Sequence, residues 1–300
     1  MPMNMLLATR LGATACLVAF AAGTLQARAA PTGMQPRHWT PAALSTDQYE
    51  SSPTFSRDGR ELYFFRADRR FGNYRLLQST CRDGKWSKPV EPVFAAPAPA
   101  LESDPAFDED GGRLYYVSNR DAVDPDNLDI WVVERGVDRT WSAPRRLPEP
   151  VNSPASELLP RPLADGRLLF GSSRAGGQGQ GDIYIATPGK DGSWSVGNIG
   201  PPVSSAANEY EADISHDGRV LVVVADRGDR SHLYVYDRRG ERWRERGRVA
   251  ARDDVFQVGP LLSPDGRRLL FAQAEGERSG EWFLTDLAAD AAPDWPPACR

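Results

Sequence analysis

Histidine and cysteine are scarce in this chain, three of each in 300 residues. His38, His216 and His232 stand far apart, and no spacing of metal-ligand type links them. No G-x-S-x-G element is present, which excludes an attached serine-hydrolase domain of the nucleophile-elbow kind. Basic residues are outnumbered, 36 Lys and Arg against 41 Asp and Glu, and the formal net charge is −5. An acidic chain without a basic block is a poor binder of nucleic acid. Beyond the first 30 residues there is no long apolar run and no sustained helical period. Twenty-five prolines and 27 glycines point instead to many short strands and turns.

The N-terminal residues have a plan of their own. Met1 to Arg10 carries one positive charge, Leu11 to Leu25 is apolar and small, and Ala27-Arg28-Ala29 has the A-x-A form of a cleavage site. This is the layout of a secretory signal peptide over residues 1–29, with an apolar run too short to span a bilayer comfortably. The expectation is a periplasmic or secreted protein with no transmembrane segment after cleavage. Cys16 follows Ala13-Thr14-Ala15, which lacks the leucine that a lipidated cysteine prefers. Cleavage removes Arg10 and Arg28 and no acid, taking the charge to −7. Cys81 and Cys299 are left where disulfides persist, either bridged or as two thiols.

The rest of the chain repeats a ten-residue word. Glu102, Pro105, Asp110 and Gly111 share their spacing with Glu50, Pro53, Asp58 and Gly59, and with Glu157, Pro160, Asp165 and Gly166. Glu209, Asp217 and Gly218 keep it with Ala212 in the proline slot; Gln257, Pro260, Asp265 and Gly266 keep it with glutamine in the glutamate slot. The five aspartates are 52, 55, 52 and 48 residues apart. A period near 50 indicates a solenoid, propeller or array. Each unit reads as four strands: the word, an apolar run after the Asp-Gly turn, an aromatic third strand, and a fourth opened by Trp86, Trp141, Trp194 or Trp243. Those tryptophans, recurring in nearly every unit, are blade packing. The fifth unit lacks a fourth strand, and Trp39 to Leu44 reads as a fourth strand without a unit. The expected fold is all-β, a five-bladed β-propeller of four-stranded antiparallel blades closed by its N-terminal strand; a sixth blade has no residues to build it. The domains are then 1–29 signal peptide, 30–37 linker, 38–289 propeller and 290–300 tail. Strand alternation puts the word's glutamates on one face and the Asp-Gly turns on the other. Cys81 and the tail bearing Cys299 share the second face, so a clasp between them is feasible.

The word, the Ser172-Ser173-Arg174 element and Gly181-Asp182-Ile183-Tyr184, together with Pro260-Leu261-Leu262-Ser263-Pro264-Asp265-Gly266, resemble the TolB-type WD-like propeller repeat over about residues 38 to 286. The resemblance implies a periplasmic propeller that acts as a protein-binding scaffold of the cell envelope. TolB itself carries six blades and an added N-terminal domain, where this chain has five words.

Several constellations are candidates for function. Glu50, Glu102, Glu157 and Glu209 form a ring near one channel mouth, with Arg69, Arg120, Arg174 and Arg227 on the same face. Structural Glu–Arg pairing is the favoured reading, because the fifth unit lacks both partners; a site for a cation, basic peptide or sugar is the other. Asp104, Glu211 and Asp213 are acids outside the general word and are expected along the channel. Asp121, Asp124, Asp126 and Asp129 crowd one loop, the single candidate for a cofactor, calcium, although the spacing is not that of an EF-hand. Gly176 to Gly181 reads as a flexible loop. The functional expectation is non-catalytic binding of an envelope protein or peptide across the Glu/Arg mouth and the loops Asp121–Asn127, Gly176–Gly181 and Pro97–Leu101. The alternative is a glycan-active hydrolase using a carboxylate pair in the channel, with one pKa raised.

Overall fold

The computed structural model describes residues 34–275 and 280–299; the signal-peptide reading of residues 1–29 lies outside the described residues. Each word becomes the first strand of a blade. Tyr49–Phe55, Glu102–Phe107, Glu157–Pro162, Asn208–Ile214 and Gln257–Leu262 begin five four-stranded antiparallel sheets. Each first strand touches that of the next blade, and the fifth touches the first, so the ring closes as a five-bladed β-propeller. The Asp-Gly turns work as their residues require: Gly59, Gly111, Gly166, Gly218 and Gly266 all have φ between 67° and 83°, where a side chain is strained. The apolar second and third strands supply the core, with Phe64, Phe170, Phe271 and Trp282 wholly buried. Burial of each such ring contributes about 1.5–3 kcal/mol. Among the described residues no helix is long and apolar enough to cross a membrane.

The N-terminal strand closes the fifth blade. Arg37 and His38 pair antiparallel with Leu284 and Phe283. Trp39 N–H donates to the Trp282 carbonyl at 2.8 Å, and Trp282 N–H donates to Thr40 Oγ1 at 2.7 Å. The strand thus lies slightly ahead of the expected Trp39–Leu44. Pro41 has no N–H to continue the ladder, and its carbonyl instead accepts from Leu44 in a turn. The fourth strands contain Trp86, Trp194 and Trp243 as expected. Trp141 makes only an isolated bridge to Arg135, and the strand proper, Arg145–Arg146, follows Pro144. Its indole still joins blades, donating to Tyr63 Oη at 3.1 Å.

Cys81 and Cys299 form a disulfide with Cα atoms 5.3 Å apart. The tail is also held by Arg268, whose Nη1 donates to the Pro293 and Trp295 carbonyls at 3.0 and 2.6 Å. Pro297 lies so close to Gly59 that a Cβ there would be 2.7 Å from the proline ring. The tail is thereby fastened to blades five and one on the Asp-Gly face.

Candidate functional site

The four word glutamates are not presented to a ligand. Glu50, Glu102, Glu157 and Glu209 are each 0% exposed. They tie down the segment that enters their blade: Thr46 Oγ1 donates to Glu50, Ala96 N–H to Glu102, and Ser153 and Ser205 donate through both N–H and Oγ to Glu157 and Glu209. Gln257 does the same work with reversed polarity, donating from Nε2 to the Arg252 and Val255 carbonyls. Burial raises the pKa of Glu50 and Glu157, against the lowering effect of these donors and of arginine.

The arginine pairing differs by blade, and a serine decides it. In blades two and three Ser118 and Ser172 stand two residues before Arg120 and Arg174 and accept from their Nε atoms at 3.3 and 3.0 Å. Each arginine is so aimed at its glutamate: Arg120 pairs with Glu102, and Arg174 with Glu157 at 3.0 Å. In blade four Ala225 replaces the serine, and Arg227 turns away to Glu245 and Tyr236. In blade one Arg66 lies directly across the ladder from Glu50 and takes the pair at 2.7 Å, while Arg69 goes to Asp47. The expected pairs Glu50–Arg69 and Glu209–Arg227 are therefore absent.

Below this ring the first strands bulge. Their register slips in every blade, and the residue two after the Glu position is left-handed in four: Ser52 (φ 48°), Asp104 (55°), Leu159 (42°) and Gly259 (62°). Non-glycine residues there cost on the order of 1–3 kcal/mol each, so the surroundings must hold them. Hydrogen bonds between blades do so. Ser52 Oγ donates to Asp104 Oδ1 at 2.8 Å, and Leu159 N–H to Asp104 Oδ2 at 3.1 Å. Gly259 N–H donates to Glu211 Oε2, and Leu262 N–H to Asp213 Oδ2, both at 2.6 Å. Asp104, Glu211 and Asp213 thus link blades one to two, two to three, and four to five.

Arg161 completes the layer. It is 4% exposed and crosses the channel: Nη1 donates to Pro105 O at 3.3 Å in blade two, Nη2 to Pro260 O at 2.8 Å in blade five, and Nε lies 3.4 Å from Asp213 Oδ1 in blade four. It occupies in blade three the slot that Asp213 fills in blade four, a signal that went unused in the sequence. Burial raises the pKa of Asp104 and of Asp213, with Arg161 opposing. Burial and then the charge of Asp104 push Glu211 up to about 8.

A cluster of rings packs on the Glu face. Phe71, itself at φ 57°, has its centroid 4.8 Å from Tyr49, 5.5 Å from Tyr74 and Phe256, and 6.1 Å from Phe65. Burial, followed by the charge of Glu211 or Asp104, raises the pKa of Tyr74 and Tyr210 in the same region. Around the mouth, the blade-two loop is organised by its own side chains. Asp129 is turned inward onto Arg146 in a bidentate pair at 2.7 and 2.8 Å, and Asp124 Oδ1 accepts from Asp126 N–H. Among the described residues no group of three or more His, Cys, Asp or Glu is arranged to hold a metal. The glycine segment is not a loose loop but a close contact with blade four. A Cβ on Gly179 would lie 1.9 Å from the Ala207 carbonyl oxygen, and Gln178 N–H donates to Asp182 Oδ2.

No family model and no curated protein matches this chain. Solved structures do. TolB from Acinetobacter baumannii aligns at 16% identity and a TM-score of 0.53, over 81% of this chain and 56% of its own. A protein assigned as TolB from Agrobacterium tumefaciens aligns at 16% identity and 0.51, over 78% and 73%. Zg3597, a family 117 glycoside hydrolase from Zobellia galactanivorans, aligns at 14% identity and 0.56, over 87% and 92%. These likenesses establish the propeller fold. The chain spans little more than half the length of the Acinetobacter protein.

Proposed function

We propose that this chain is an exported, TolB-like binding propeller that docks an envelope protein or peptide on its Glu/Arg face and carries out no chemical step. The observation behind this reading is the contrast between the channel and its surroundings. Every channel acid is committed to a bond between blades, and Arg161 crosses the channel to reach three other blades. The neighbouring loops, in contrast, hold out Val93 and Val123 at 87% and 104% exposure. Arg120 joins these loops by donating to the Phe94 carbonyl at 3.1 Å. Exposed Asp121, Asp124 and Asp126 surround Val123, which suits a partner segment with an apolar side chain flanked by basic ones. The Cys81–Cys299 disulfide and the layout of residues 1–29 both support an oxidising compartment. A photocrosslinking residue placed at Val123 should give one discrete adduct with an envelope protein, suppressed by Val93→Lys. Adducts insensitive to Val93→Lys would count against the face.

One observation favours the hydrolase reading, the raised pKa of Glu211 beside Asp104, since a general acid needs such a value. Under that reading Glu211→Gln abolishes glycan turnover. Under ours there is no turnover to abolish.

A further inference from the structure

The other mouth of the channel is open. On the Asp-Gly face a cavity of about 1260 Å³ is walled by all five blades and by the C-terminal tail. The repeat determines what lines it. Five residues after each Glu position come Phe55, Phe107, Pro162, Ile214 and Leu262, an apolar belt. Seven residues after it, beside the aspartate of each turn, come Arg57, Glu109, Ala164, His216 and Pro264. The belt is apolar in every blade, whereas these latter positions differ in every blade and still converge on one space. The cavity extends outward past Ile185 and Trp243 of blades three and four. Gly197 pairs directly with Ile185 and so shares its face, and a Cβ on Gly197 would meet nothing within 4 Å.

The chemistry of the lining narrows the ligand. Arg57, Arg167 and Arg238 stand with five carboxylates, of which Asp108, Asp165 and Asp217 each accept a backbone N–H within their own turn; Glu109 and Glu241 are the acids left to a ligand, and there is no basic excess. A polyanion requires a basic excess, and a lipid chain an unbroken apolar wall. What matches is a neutral molecule with flat apolar faces and hydroxyls that both donate and accept. Its rings would lie on the half-buried Phe55, Phe107, Trp243 and Trp295, and its hydroxyls would meet the Arg, Glu and His216 groups. The volume exceeds the range of about 300–1,000 Å³ that suits drug-sized ligands, which fits a short chain of rings better than a single one. We infer that this cavity is an oligosaccharide-binding site, distinct from the protein-docking face and independent of it. Trp295 forms a wall that the disulfide holds in place, so reduction should weaken binding without touching the blades.

The test is a titration of the intact chain with cellotetraose, chitotetraose and maltotetraose, followed by tryptophan fluorescence and calorimetry. At least one should bind. Trp295→Ala should weaken it by about tenfold or more. Gly197→Trp, which fills open space and should leave the melting temperature unchanged, should abolish it, while Val123→Lys on the far face should not alter it. Failure of all three sugars to bind at millimolar concentration overturns the proposal. So does binding that survives Gly197→Trp. Peptides enriched from a display library on the wild type and lost with Gly197→Trp, in the absence of sugar binding, would assign the cavity to a polypeptide instead.

Discussion

Glu211→Gln is expected to remove a pH dependence of stability rather than an activity. Glu211 is 6% exposed, its Oε2 accepts from Gly259 N–H, and burial with the nearby Asp104 charge pushes its pKa up to about 8. In the unfolded chain the same group titrates near 4.5. The folded state therefore holds a proton that the unfolded state releases between those values. Its contribution is fully present below pH 4.5 and is lost as pH rises through 8. Each pH unit in the window removes up to about 1.4 kcal/mol. From pH 5 to pH 8 the loss should be about 2–4 kcal/mol, below the limit because Asp104 takes up part of the proton change. Glutamine matches the protonated carboxyl in shape and stays neutral throughout. Urea unfolding of both proteins across that range should show the variant gaining on the wild type by this amount as pH rises. Parallel stability curves would refute the argument that burial and the Asp104 charge hold a proton on Glu211.

Three further outcomes follow from the frame. Glu157→Ala leaves Arg174 with neutral hydrogen-bond partners alone, Ser172 Oγ and the Pro150 and Val151 carbonyls, and should cost about 3 kcal/mol; Glu209→Ala, which loses the Ser205 bonds without stranding an arginine, should cost about 1–2 kcal/mol. Equal losses in urea unfolding would contradict the serine-directed pairing. Deletion of residues 34–40 removes the outer strand of blade five and the Trp39 contacts with Trp282 and Phe55, so the melting temperature should fall sharply; no change would exclude closure by this segment. The double variant Cys81→Ser/Cys299→Ser opens a cross-link spanning 218 residues and should lose about 2–5 kcal/mol, measured against the oxidised wild type.

The architecture was legible because it is repetitive. Five words at near-constant spacing specify five first strands, and the unmatched segment near Trp39 specifies where the ring closes. Pairing within the repeat was less legible, because it depends on which residue lies across the ladder. Arg66 displaces Arg69 only because it faces Glu50 directly, and Arg227 is released only because Ala225 stands where Ser118 and Ser172 stand elsewhere. Both differences are written in the sequence, but they acquire meaning once the register is known. Arg161 was overlooked although it stands in the variable slot of Asp213; its reach across the channel to Pro260 depends on closure of the ring, which no local pattern encodes. Gly179 suggested flexibility, whereas close approach to the Ala207 carbonyl is what excludes a side chain there.

The most direct test of a non-catalytic binding propeller is a comparison of wild type, Glu211→Gln and Val93→Lys/Val123→Lys, each as residues 30–300, for retention of envelope protein and for glycan turnover in the same preparation. The account predicts that one envelope protein is retained by the wild type and by Glu211→Gln, is lost from the double valine variant, and that no glycan is cleaved by any of them. Glycan cleavage by the wild type that disappears in Glu211→Gln, with no protein retained, would contradict it.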